Sequence, residues 1–134
     1  MKGMKIILWI AAICCLSGFA AAALPWPTIT ALFHWFGIQP PAAEPVTAFG
    51  FRLASAMFGM IGIFFLILAR NPLKYGAMLL LAAYGLVAYG VFCLLGGIRY
   101  ALPVYTYAGD LIFGVVAGVL LLVFRKRAMQ TNSA

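Results

Sequence analysis

Two charged residues stand inside stretches that are otherwise built for lipid. The segment "AGDLIFGVVAG" carries Asp110, one of only two acidic residues in the chain, and "FGFRLASAMFG" carries Arg52. A charge in hydrocarbon is expensive and needs a partner, so each is either a structural tie or part of a site. The remaining reactive side chains offer less. His34 is the single histidine, with no second His, Cys or carboxylate at ligand spacing, so no metal site is predicted. Cys14 and Cys15 lie about 14 Å from the inner end of their helix and Cys93 about 28 Å from the inner end of its own, which rules out easy pairing. With no C-x-x-C, disulfide exchange is not expected. Ser17 and Ser55 have no His and Asp around them to make a nucleophile.

The elements that must hold these residues follow from composition. Of the 134 residues, 66% are hydrophobic and 8% charged, with a mean hydropathy of +1.11; that is a membrane composition. Charge is absent from residues 6–24, from 46–69 apart from Arg52, from 77–98, and from 104–124 apart from Asp110. Each run is long enough to cross about 30 Å of hydrocarbon at about 1.5 Å per residue. The expected fold is all-α: a polytopic, antiparallel four-transmembrane-helix bundle forming one domain over residues 1–134. The first run, behind "MKGMK", is longer than the usual apolar core of a signal peptide and is expected to be retained.

Between the first two spans, "PWPTITALFHWFGIQPPAAEP" contains Ile29, Leu32, Phe33 and Phe36 at i, i+3, i+4, i+7, bracketed by Pro27 and Gly37. This predicts a short amphipathic helix on the outer membrane surface, with Trp26 and Trp35 at headgroup depth and an extended strap after it. The loop "RNPLKYG" makes the second and third spans antiparallel neighbours, and "GGIRYALPVYTYAG" is an outer loop with helical character in part. If the N-terminus is cytoplasmic, that side receives Lys2, Lys5, Arg70, Lys74, Arg125, Lys126 and Arg127, while the outer loops hold only Arg99. Both termini are therefore predicted to be cytoplasmic. The net charge of +7 is first a topology signal, with attraction of "RKR" to anionic headgroups as an addition; nucleic-acid binding is not expected.

Depth relates the two span charges. Arg52 lies 18 residues from Arg70 and Asp110 lies 15 residues from Arg125, about 27 and 22 Å along their helices. Asp110, Gly114 and Gly118 share one helix face, and Arg52, Ser55, Ala56 and Gly59 form a comparable stripe of small residues. These stripes predict that the second and fourth spans pack face to face with an Arg52–Asp110 bridge. The bridge is either a structural tie or a polar site below the outer surface, walled by Tyr84, Tyr89, Tyr105, Tyr107 and His34.

The order of these features, with "FGFRLASAMFGMIGIFFLILARNPLKYG", its Asn-Pro turn and an acid in the fourth span, resembles small bacterial DoxX-like four-helix membrane proteins. The resemblance implies a bundle in the bacterial inner membrane, sometimes assembled with oxidoreductase partners, its better-defined relatives being quinone-linked subunits. The chain itself carries no cofactor motif. Three functions remain in view: a non-enzymatic accessory subunit of a membrane complex, a protein that binds or transports an amphipathic or anionic small molecule around Arg52 and Asp110, and a quinone-linked redox subunit.

Overall fold

Proline, glycine and asparagine punctuate the chain where its helices change. The computed structural model describes residues 2–131, so Met1 and residues 132–134 of the expected 1–134 domain lie outside the described residues. It contains α1 (Lys2–Ala23), α2 (Trp26–Trp35), α3 (Pro45–Arg70), α4 (Gly76–Arg99) and α5 (Val104–Thr131). Four of these helices, α1, α3, α4 and α5, are long and apolar enough to cross a membrane. The protein is thus an all-α, multi-pass membrane protein.

Each boundary has a local cause. α1 stops before Pro25, which cannot continue a helix. α2 takes Pro27 in its first turn and ends at Gly37, whose φ of 69° is the left-handed conformation glycine tolerates. The N–H groups of Gly37 and Ile38 donate to the carbonyls of His34 and Phe33, closing the helix. Asn71 and Pro72 end α3. α4 ends in the same way as α2, with Ala101 at φ 49° and Leu102 N–H donating to Gly97 O at 3.0 Å. Here a Cβ-bearing residue occupies the left-handed position. α5 begins at once: Pro103 O accepts from the N–H and the hydroxyl of Thr106, at 2.9 and 2.7 Å. The connection is therefore four residues rather than a long loop. α5 also runs on to Thr131, past the expected end at 124, because Arg and Lys end an apolar run without ending a helix.

Packing falls into two compact units, Ile10–Leu66 and Met1–Trp9 with Ile67–Ala134. In the Ile10–Leu66 unit, α1 and α3 approach at backbone distance. A Cβ on Gly18 would lie 2.5 Å from Ser55 O, and one on Gly62 would lie 2.6 Å from Leu16 N. Only glycine permits that approach. The ring of Phe19 covers Gly59. α2 is held to α3 by Phe51, which meets Trp26 and Phe33 edge-on, both at 6.1 Å between centroids. Of the predicted apolar stripe, Ile29 is buried and Phe33 half-buried, while Leu32 and Phe36 are exposed. The contact face of α2 is therefore narrower than its sequence period suggests.

In the other unit α4 and α5 run antiparallel. Gly97 lies under the ring of Tyr107, Gly90 meets Leu111 and Val115, Gly114 meets Leu86 and Gly90, and Gly118 meets Ala83 and Val87. Rising numbers on one helix meet falling numbers on the other. The start of α1 joins this unit through Gly3 against the Phe124 ring, with Met4 and Leu8 fully buried.

Candidate functional site

The glycine stripes determine where the span charges face. Gly114 and Gly118 pack on α4, and Ser55 and Gly59 meet α1. A stripe of small residues specifies close approach but not the approaching helix, and the neighbours in sequence take the position. Ala56, beside them, is half-buried. Arg52 lies on an exposed face of α3, next to the Phe51 that joins α2 to α3. Asp110 is exposed on α5, four residues before the packed Gly114.

Within the α4–α5 unit the tyrosines of the predicted aromatic wall are spread along the helix pair. Tyr107 is occupied as the ring over Gly97, Tyr105 is exposed near the start of α5, and Tyr89 is half-buried on α4. Tyr84 has to be corrected. It lines a cleft with Leu122 and Lys126 toward the far end of α5. Leu122 is 12 residues from Asp110, about 18 Å along the helix. The antiparallel register causes this, since residues early in α4 lie beside residues late in α5. His34 is exposed on α2, and its neighbours Trp35 and Phe36 stack edge-on at 4.9 Å.

The other reactive groups are locally satisfied or scattered. Ser17 donates to Cys14 O at 2.6 Å and Thr30 to Pro27 O at 2.8 Å, so both hydroxyls bond to their own helix. Cys14, Cys15 and Cys93 are free thiols. Among the described residues no three His, Cys, Asp or Glu side chains are grouped as a metal would require.

The basic residues that the sequence assigns to one side of the membrane meet at one end of the α4–α5 pair, and what their spacing does not reveal is the pair of hollows there. Gly3 against Phe124 brings Lys2 and Lys5 to the end of α5 that bears Arg125, Lys126 and Arg127. Leu73 and Gly76 share a cavity with Arg125, which places Arg70 and Lys74 there too. Seven of the nine basic residues thus collect at one end of this unit, and Arg99 ends α4 at the other. Lys74 stands 6.0 Å above the Tyr75 ring. Two hollows open here: one of about 270 Å³ lined by Leu73, Gly76, Leu79 and Ala128, and one of about 680 Å³ lined by Leu80, Tyr84, Leu122 and Lys126. Arg125 and Met129 line both.

No family model, curated protein or solved structure matches the chain. Its chemistry rests on its own residues.

Proposed function

We propose that the protein is a non-catalytic accessory subunit of a complex in the bacterial cytoplasmic membrane, with both termini cytoplasmic. The observation that carries this is the exposure of Asp110 on a membrane-spanning helix whose neighbouring glycines are already packed on α4. A carboxylate at an apolar depth has to be neutralised, and a partner subunit bringing a cation or hydrogen-bond donors to α5 does so. Arg52, exposed on α3, offers the complementary charge for the same purpose. The collection of seven cations at one end of the α4–α5 unit supports the orientation, because basic residues are retained on the cytoplasmic side. The resemblance to DoxX-like proteins, some of them assembled with oxidoreductases, supports an accessory role.

Site-specific photocrosslinking tests the proposal. A photoreactive residue at Phe113, half-buried and one turn from Asp110 on the same side of α5, should capture a second polypeptide in native membranes. The adduct should disappear in Asp110→Asn while the protein still inserts. Crosslinking to lipid alone, unchanged by Asp110→Asn, would refute the subunit reading.

A further inference from the structure

We propose that the basic end of the α4–α5 pair is a binding site for one anionic phospholipid, its phosphate on Arg125 and Lys126 and its acyl chains in the two hollows that flank Arg125. Three observations carry this. First, Arg125 lines both hollows, so a single cation lies between two mainly aliphatic clefts, the larger of about 680 Å³ and the smaller of about 270 Å³. A diacyl lipid has that shape: one charged head with two apolar tails. Second, the chain supplies few acidic side chains to set against the cations. The only acidic side chains in the chain are Glu44 and Asp110, and Asp110 is about 22 Å along α5 from Arg125. Third, the walls suit their position in the bilayer. Leu79, Leu80 and Leu122 lie on the span side of Arg125, where acyl chains run, with Tyr84 one turn deeper, while Lys126 and Gln130 put polar atoms at the other end of the larger cleft. Basic hollows between membrane helices at the cytoplasmic face are a recurrent solution for anionic headgroups.

Chain and head must both contribute, and this separates the site from general attraction to a charged surface. The full-length protein in a neutral detergent is titrated with dioleoylphosphatidylglycerol or dioleoylphosphatidylcholine, with bound lipid counted by native mass spectrometry and unfolding followed in parallel. Phosphatidylglycerol should bind saturably at one molecule per chain and raise the unfolding temperature, and phosphatidylcholine should not. Arg125→Gln with Lys126→Gln should weaken binding about 30-fold, on the scale of two interfacial cations. Lys2→Gln removes a charge from the same end but lines neither hollow, and should leave affinity unchanged. Leu80→Trp keeps every charge but narrows the larger cleft, and should weaken binding severalfold even if the double variant does not fold. The proposal is overturned if phosphatidylcholine binds equally well, if Lys2→Gln weakens binding as much as loss of Arg125, if Leu80→Trp has no effect, or if inorganic phosphate alone reproduces the thermal shift.

Discussion

Substituting Gly114 by alanine sets two opposing effects against each other, and the geometry decides between them. Alanine in a helix interior is favoured over glycine by about 1 kcal/mol. Against this, the new Cβ would lie 2.7 Å from Leu86 O and 3.0 Å from Gly90 N, both backbone atoms that no rotamer change can move. To reach the 3.4 Å of ordinary contact, α4 and α5 must separate by about 0.7 Å. A gap of that size forfeits about a quarter to a half of the dispersion energy of each atom pair across the contact. Gly90 and Gly118 share the interface, so the loss extends beyond one position. The expected net destabilisation is about 1–3 kcal/mol, the usual range for overpacking. Gly85, also on α4, would meet nothing within 4 Å, so Gly85→Ala carries only the helix-propensity gain and should be neutral or stabilising by up to about 1 kcal/mol. Reversible unfolding in mixed detergent micelles, followed by circular dichroism, measures both. Equal stability of Gly114→Ala and Gly85→Ala would refute the assignment of the Gly114 face to α4.

Other expectations are simpler. Ala101→Gly should stabilise by roughly 0.5–1 kcal/mol, since a left-handed alanine costs about 1–2 kcal/mol and the added freedom of glycine in the unfolded chain offsets only part of that; a lower unfolding temperature would count against the observed turn. Gly37→Ala, at a φ of 69°, should destabilise by about 1 kcal/mol in the same assay. A reporter fused after Ala134 should be active only on the cytoplasmic side, and activity on the outer side would remove the proposed orientation.

Some of this was legible in the residues, for reasons that differ by element. The four spans are plain because a membrane sets a minimum length for an apolar run, and Lys, Arg and Pro mark its ends. Gly37 is legible as a stop because few residues other than glycine accept its conformation. Ala101 gives no such signal, since the turn forces it into a conformation its type does not advertise. The stripes of Asp110, Gly114 and Gly118 and of Ser55 and Gly59 reveal that a backbone comes close, but not which backbone. Tyr84 was misplaced because periodicity reports face, whereas depth depends on the register between α4 and α5. The hollows around Arg125 were invisible because their walls come from residues about 80 and 125, far apart in the chain and joined only by the antiparallel return.

That return has a consequence for how the molecule is made. With α4 ending at Arg99 and α5 starting at Val104, four residues cannot hold one helix in place while the other waits on the far side. In the proposed orientation the two enter the bilayer together as a hairpin, with Arg99 at the tip that crosses. Contacts within the hairpin join residues as near in sequence as Gly97 and Tyr107, so little loop entropy opposes them once both segments are in place. The contact of Gly3 with Phe124 is of another kind: it joins residues 121 positions apart, so it cannot form until α5 has been made. During synthesis the Gly3 face of α1 therefore stays open long after the α4–α5 hairpin could close, and that interval is when α1 is most exposed to mispairing or proteolysis.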